Sequence, residues 1–238
     1  MGGSSGLRTI ERCLTCKLRT DHFFCDLSPD ALRSFDAISC ATVYPKGVML
    51  FVEGQEPRGI FVLCAGRVKL STSSVDGKTV IIEIAEPGEV LGLSATVSEL
   101  PYEVTAEALE PCQVNFIKRE DFLRFLTDHG QVCLRVARHL SRNYHTAYDQ
   151  VRSLALHSAA ENLARLLLGW CDERGADTEE GIRLKVTLTH EEIGQVIGTT
   201  RETVGRLFAE LKGRQIIAIK GSNLLVVNKS QLKALANV

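Results

Sequence analysis

The sequence has no apolar run long enough to cross a membrane. Its hydrophobic content is 45%, yet no stretch approaches the roughly 18–20 uninterrupted apolar residues that a membrane-spanning helix needs. The first six residues also lack the basic and apolar regions of a signal peptide. We therefore expect a cytoplasmic protein with no membrane partner.

Motifs of common enzymes are missing as well. The sequence contains no Gly-x-Ser-x-Gly nucleophile elbow, no phosphate-binding Gly-Lys loop and no His-Glu-x-x-His metal pair. Nothing in it prepares a nucleophile. The sequence predicts a protein that is not an enzyme.

The charge that is present is distributed unevenly. The 238 residues are enough for about two domains, and the net charge is only −1. Residues 1–130 carry 13 basic and 18 acidic side chains, residues 131–186 carry 8 and 7, and residues 187–238 carry 7 and 4. Positive charge therefore gathers at the C-terminal end, where an anionic partner is expected to bind.

Glycine turns divide the first half into short strands. From Thr42 to Phe116, turns such as Asp76-Gly77 and Pro87-Gly88 separate apolar runs such as Ile60–Cys64 and Thr79–Ile84. This spacing predicts an antiparallel roll or barrel around one core.

A long helix is predicted next. Residues 120–156 contain no proline and a single glycine, Gly130. Apolar or small residues recur every three or four positions, and this narrow seam favours pairing with an identical helix; its predicted members are Val136, Leu140, Tyr144, Ala147, Val151 and Leu154. A core helix of a monomer is the alternative. A second helix over Ala159–Cys171 and a polar loop over Asp172–Gly181 are expected to follow.

The C-terminal segment predicts two short helices joined by a tight turn. Thr189 and Glu192 have capping-box spacing, Gly198 ends the first helix, and Thr199 and Thr200 cap the second. On the second helix, apolar positions point inward and leave an outer face near the N-terminus, which carries Arg201, Glu202, Gly205 and Arg206. This is the pattern of a helix-turn-helix whose second helix reads double-stranded DNA.

The outer residues have the chemistry for reading base pairs. Arginine can bond guanine O6 and N7 together, glutamate can accept a bond from cytosine N4, and Gly205 leaves room for the groove wall. Two structural alternatives remain: Glu202 can close a capping box with Thr199, or form an exposed i,i+4 pair with Arg206.

A β-hairpin wing is predicted after the second helix. The apolar runs Ile216–Ile219 and Leu224–Val227 flank a polar tip. Lys220 and Ser222 at that tip are expected to contact phosphates.

These features together resemble the CRP/FNR family of bacterial transcription regulators. The resemblance rests on the run from Gly198 to Arg206 and on four motifs in the first half, which are Pro45-Lys-Gly47, Glu53-Gly54, Gly66-Arg-Val-Lys69 and Pro87-Gly-Glu89. It implies an α+β fold with a cyclic-nucleotide-binding-type β-roll (a jelly-roll) over residues 1–130, a dimerisation helix over 131–156 and a winged helix-turn-helix over 157–238.

The resemblance also implies partners. A homodimer is expected to bind a palindromic operator and to contact RNA polymerase. Arg201, Glu202 and Arg206 match base-contacting positions of the cyclic-AMP receptor branch, and Gly205 matches that branch as well. We therefore predict half-sites close to TGTGA.

The sequence does not favour cyclic AMP as the signal. The cyclic-AMP receptor neutralises the cyclic phosphate with an arginine after its Pro-Gly-Glu stretch, but no Lys or Arg occurs here from Thr79 to Ile117. Tyr102 and Glu103 stand about where that receptor has its Arg-Ser pair. Glu103 would repel the anion, so we expect no cyclic-nucleotide binding.

The cysteines are the other candidate sensor. The spacing Cys13-x2-Cys16-x8-Cys25 resembles the FNR branch, in which such thiolates and one cysteine of the roll hold a 4Fe-4S cluster. We predict Cys112 as the roll ligand, although the FNR pattern would place ligands at His22 and near Asn115. A zinc site with these thiols or His22, and free or oxidisable thiols, remain alternatives.

The other four cysteines, Cys40, Cys64, Cys133 and Cys171, occur in apolar patterns and are expected to be small buried hydrophobes. A redox or metal-binding protein with a vestigial helix-turn-helix is the competing hypothesis for the whole chain.

Overall fold

The computed structural model describes residues 13–16, 24–220 and 223–237, apart from the side chains of residues 15 and 220. The chain forms two compact units, residues 1–146 and 147–238. The boundary falls inside the long helix predicted for the dimer. Among the described residues, no helix is both long and apolar enough to cross a membrane.

The N-terminal unit contains two four-stranded antiparallel sheets. Its strands are β1 (Cys40–Tyr44), β2 (Met49–Phe51), β3 (Gly59–Ala65), β4 (Val68–Ser73), β5 (Thr79–Ala85), β6 (Val90–Leu91), β7 (Thr105–Ala108) and β8 (Cys112–Lys118). The strand orders are β1-β8-β3-β6 and β2-β7-β4-β5. The predicted antiparallel roll is confirmed.

Alternation along β8 divides the interior of this unit into two apolar clusters. Cys112 and Val114 point into a cluster with residues of β2, β3 and β7, whereas Ile117 points into a second cluster with the helices. Successive side chains of a strand point to opposite faces of the sheet. The face on which a β8 residue lies therefore determines which cluster it can reach.

A short 3₁₀ turn (Cys13–Thr15) and the helices α1 (Pro29–Ile38), α2 (Leu93–Ser98) and α3 (Arg119–Asp128) also belong to this unit. So does the first part of α4 (Gly130–Leu156), whose residues from 147 onward belong to the C-terminal unit. Ser28 caps α1 by accepting a hydrogen bond from the Ala31 N–H. The long helical stretch predicted from residue 120 is in fact two helices. It breaks at His129, whose backbone (φ −124°, ψ 62°) is not helical.

The C-terminal unit packs four helices (α5 to α8) and a four-stranded sheet around one core. Its elements are α5 (Ala159–Arg174), β9 (Ala176–Thr178), β10 (Gly181–Leu184), α6 (His190–Ile197), α7 (Arg201–Gly213), β11 (Ile217–Lys220), β12 (Asn223–Val226) and α8 (Lys229–Leu235). The strand order is β11-β12-β10-β9. The expected polar loop over 172–181 is wrong, because the end of α5 and strand β9 occupy it.

Candidate DNA-binding and sensor sites

The first helix of the helix-turn-helix begins and ends as the sequence predicts. The Thr189 hydroxyl accepts from the Glu192 N–H at 3.2 Å, and the Glu192 carboxylate accepts from the Thr189 N–H at 2.7 Å. Gly198 ends α6 in the left-handed region at φ 73° and donates its N–H to the Gly194 carbonyl. Both ends of α6 are therefore satisfied by local hydrogen bonds.

The second helix is capped by Thr200 alone. Its hydroxyl accepts from the Thr203 N–H at 3.3 Å, while Thr199 belongs to the turn and donates its N–H to the Gly194 carbonyl at 2.8 Å. The prediction that Thr199 helps to cap α7 is therefore wrong, and the capping box between Thr199 and Glu202 does not form.

Glu202 is held at the start of α7 in its ionised form. Hydrogen bonds from its own backbone N–H and from the Thr200 hydroxyl lower the pKa of its carboxyl. Among the described residues, no ion pair joins Glu202 to Arg206. A fixed carboxylate at this position is an acceptor for a base-edge donor such as cytosine N4.

The two faces of α7 separate by polarity. Val204, Phe208 and Leu211 are buried in the core of the C-terminal unit. Arg201, Glu202 and Arg206 are exposed, and at 100° per residue they lie within one sector of the helix surface, with Gly205 between them. The structure brings together the predicted base-reading residues.

Two glycines shape this motif in different ways. A Cβ on Gly205 would meet only the His190 ring, at 3.8 Å, so this position is open. A Cβ on Gly194 would lie 2.7 Å from the Thr199 carbonyl oxygen. Sequence reasoning did not identify Gly194, although its position four residues before Gly198 was a signal for it. His190 stacks on Phe208 at 5.0 Å.

The predicted wing is a hairpin. Ile217 pairs with Val226, and Lys220 pairs with Asn223 across a two-residue connection. The side chain of Lys220 and the whole of Ser222 lie outside the described residues, so their phosphate contacts stay predictions.

The predicted dimer seam divides into two parts. Val136 is 6% exposed and packs with Leu140 in the core of its own unit, so the assignment of Val136 to a partner-facing seam is corrected. Tyr144, Ala147, Val151 and Leu154 are exposed, and their role in a dimer seam stays a prediction. The sequence analysis missed Tyr148, which lies on the same face and is 58% exposed.

Tyr102 fills space between the sheets of the roll. It is 3% exposed, and its ring stacks on Phe51 with centroids 4.1 Å apart. The hydroxyl donates to the Gly59 carbonyl at 2.9 Å and accepts from the Arg58 N–H at 3.1 Å. Glu103 beside it is exposed. At this position the chain has a buried neutral phenol rather than a cation.

Three of the four predicted metal ligands lie together. Cys13, Cys16 and Cys25 line one cavity, whose other lining residues are Phe24, Phe35, Val62, Leu63, Cys64 and Asn115. The Asn115 amide donates to the Cys13 sulfur at 3.2 Å, and the Cys13 N–H donates to the Asp36 carboxylate at 2.6 Å.

The prediction of Cys112 as the fourth ligand is wrong. Its thiol donates to the carbonyls of Arg67 and Glu110 at 3.2 and 3.1 Å and points into the other apolar cluster. Because it is three residues from Asn115 on β8, its side chain lies on the opposite face of the sheet.

The remaining cysteines differ in burial. Cys64 and Cys171 are buried as expected, but Cys40 and Cys133 are exposed. Among the described residues, no group of three or more His, Cys, Asp or Glu side chains has the spacing that a single metal ion requires.

The C-terminal geometry defines a class of protein. A capped helix presents two arginines and a glutamate on its exposed face, and a β-hairpin wing and an N-terminal β-roll complete the chain. This is a DNA-binding transcription regulator of the winged helix-turn-helix type.

Comparisons with known proteins agree with that class. The family model described as "Cyclic nucleotide-binding domain" matches residues 41–129, and "Crp-like helix-turn-helix domain" matches residues 161–235. The chain belongs to the CRP/FNR family of transcription regulators.

Relatives cover most of the chain. The transcriptional activatory protein AadR of Rhodopseudomonas palustris is 29% identical over 94% of this chain and 93% of its own length. A CRP-like cAMP-activated global transcriptional regulator of Mycobacterium tuberculosis is 24% identical over 88% and 93%. The structure of FixK2 from Bradyrhizobium japonicum shares the fold, with a TM-score of 0.73 and 22% identity over 83% of this chain and 97% of that one.

Proposed function

We propose that the protein binds a palindromic operator as a homodimer, recruits RNA polymerase, and responds to oxygen or redox state through an iron–sulfur cluster. The exposed face of α7 is the observation that carries the proposal, because Arg201, Glu202 and Arg206 are exposed together on the helix that would enter the major groove. RNA polymerase is included as a partner because the family resemblance implies it.

The C-terminal half of α4 supports the dimer. Tyr144, Tyr148 and Val151 are 59%, 58% and 66% exposed, and their spacing places them on one face of the helix. An apolar stripe of this kind is stabilised by burial against a second copy of itself. Such a dimer can hold two α7 helices about 34 Å apart, the spacing of successive major grooves.

Residues 79–117, which include the region where the cyclic-AMP receptor neutralises the cyclic phosphate, contain no Lys or Arg. Tyr102 stands about where that receptor has its Arg-Ser pair, and its ring is buried and hydrogen-bonded. Burial, aided by Glu83 and Glu86, raises the pKa of Glu89 in the Pro-Gly-Glu motif to about 7. Several relatives are named as cAMP-activated, but the groups in this chain do not favour an anionic ligand there.

The cysteines are the better candidate for the sensor. Their thiols are what an iron–sulfur cluster binds, and such a cluster supplies an oxygen-sensitive redox centre when present. Cys13 packs against the same core as Val136 and Leu140 of α4. A change at the cysteines can therefore alter packing beneath the dimer helix and reposition the recognition helices.

A gel-shift experiment tests the function. The full-length protein, prepared without oxygen, should bind a TGTGA palindrome as a dimer and release it after exposure to oxygen. A matched duplex with TTGAT half-sites is the specificity control. A monomer that ignores the TGTGA duplex in every redox state at low salt would favour the competing redox or metal-binding protein.

A further inference from the structure

Four thiols, not three, meet at the cavity beneath α1. Cys13, Cys16 and Cys25 come from the N-terminal segment, and the fourth, Cys64, comes from β3. The sequence placed Cys64 among structural cysteines because it lies within an apolar run. The fold brings it to the other three cysteines, although all of them lie far from it in the sequence.

Cys64 lies at a β-bulge on the cavity side of β3. Leu63 pairs with Val114 and Ala65 pairs with Gln113, so Cys64 is the extra residue between two consecutive β8 positions. Cys64 lines the cavity together with Val62, and residues two apart on a strand point to the same face of the sheet.

Asn115 occupies the place where the FNR pattern would put a cysteine. It pairs with Val62 on the neighbouring strand β3, two residues from Cys64. Its amide already donates to the Cys13 sulfur at 3.2 Å. Cys64 on β3 therefore provides the thiol that β8 lacks at this place. Asn115 itself provides a hydrogen bond to the Cys13 sulfur.

We propose that Cys64 is the fourth cluster ligand, together with Cys13, Cys16 and Cys25, and that Asn115 is a positioning residue that donates a hydrogen bond to the Cys13 sulfur. This inference rests on the proposed iron–sulfur function. It replaces Cys112, which faces the opposite side of the sheet.

The surroundings of the four thiols suit a metal–sulfur group. Phe24, Phe35 and Val62 form an apolar wall, and the nearest carboxylate, Asp36, accepts a hydrogen bond from the Cys13 backbone. Thiolates are the ligands that iron–sulfur clusters take, and the four cysteines would supply them.

Cluster binding would require movement of the thiols of Cys13, Cys16, Cys25 and Cys64. The free space among the thiols is about 10 Å³, which holds no more than one water molecule. The thiols must move apart to admit iron and sulfide, and Cys13 and Phe24 pack in the core that also contains Val136. The presence or loss of the cluster would thereby change packing under α4.

The test compares two single variants of the full-length chain. Wild type, Cys64→Ser and Cys112→Ser are reconstituted without oxygen with ferrous iron and sulfide, and iron, acid-labile sulfide and the visible charge-transfer absorbance are measured. We expect Cys112→Ser to match wild type and Cys64→Ser to lose most of the cluster, with circular dichroism unchanged in both.

A rescue variant keeps the test independent of folding. Cys64→Ser combined with Asn115→Cys returns a thiol to the cavity from β8, and we expect it to regain iron and sulfide. A cluster retained by Cys64→Ser but lost by Cys112→Ser would overturn the assignment of Cys64 and leave the proposed function standing. Failure of wild type to take up iron and sulfide would overturn both.

Discussion

Gly194 shows how one residue determines the geometry of the helix-turn-helix. Its carbonyl accepts the N–H groups of both Gly198 and Thr199, so the turn folds back over α6 at this point. A side chain would place its Cβ 2.7 Å from the Thr199 carbonyl oxygen, closer than non-bonded contacts allow. The close approach of two backbone segments requires a glycine.

We predict that Gly194→Ala destabilises the C-terminal unit and that Gly205→Ala does not. Overpacking costs about 1–3 kcal/mol, more than the roughly 1 kcal/mol gained by replacing glycine with alanine in a helix. Trp170, the only tryptophan, lies in the same core. Its fluorescence during a urea titration therefore measures the free energy of unfolding of each variant. Equal stability of the two variants would contradict this account.

Glu89 makes the stability of the roll depend on pH. Burial raises the pKa of its carboxyl from 4.5 to about 7, with smaller contributions from Glu83 and Glu86. The folded state therefore holds this proton up to about pH 7, whereas the unfolded chain releases it near pH 4.5. The stabilising contribution is complete below pH 4.5 and is lost as the pH rises through 7.

We expect Glu89→Gln to remove this contribution to the pH dependence. The variant should be more stable than wild type at pH 8 by about 1–3 kcal/mol, and the difference should shrink toward pH 5. Calorimetric unfolding of wild type and Glu89→Gln between pH 5 and pH 8 measures this difference in stability. The matched control is Glu103→Gln, which changes an exposed carboxylate and should leave the wild-type profile intact.

At the scale of helices and strands, the sequence predicts helix ends well, but it does not predict which residues a strand or helix face will contact. The capping pair Thr189 and Glu192, with Gly198 after them, located α6 because caps and turns depend on neighbours in sequence. Cys64 was misread because an apolar run does not show what its residues face, and only the fold brings the N-terminal cysteines to this side of β3. Val136 was misread for a related reason, since periodicity shows an apolar face but not what covers it.

The exposed part of α4 yields a prediction for the dimer. Val151→Glu places a charge in the seam and should shift the protein toward monomer, because an unpaired buried charge is costly. Arg142→Glu lies on the opposite face of α4 and is also exposed, so it is the matched control. Analytical ultracentrifugation measures both. A Val151→Glu protein that stayed dimeric at wild-type concentrations would place the interface elsewhere.

At the scale of the whole molecule, the first half of α4 connects the two proposed activities. Its residues Val132, Val136 and Leu140 pack in one core with Phe24, Phe35 and Cys13. Its second half carries the exposed stripe proposed as the dimer seam. A packed core transmits a displacement because it contains little free volume, so we expect a shift of Cys13 and Phe24 to reach the helix that is proposed to form the dimer.

We therefore predict that Val136→Ala weakens the response to oxygen more than it weakens DNA binding. Removing two buried methyl groups leaves a cavity in the core between the cysteine segment and α4, so a shift of the segment is absorbed there. The ratio of operator dissociation constants with and without oxygen should fall toward one, while iron and sulfide content stays at the wild-type level. Leu134→Ala, at a position that is 56% exposed on the same helix, should keep the wild-type ratio. If Val136→Ala also kept it, the coupling would have to run by a route other than this core.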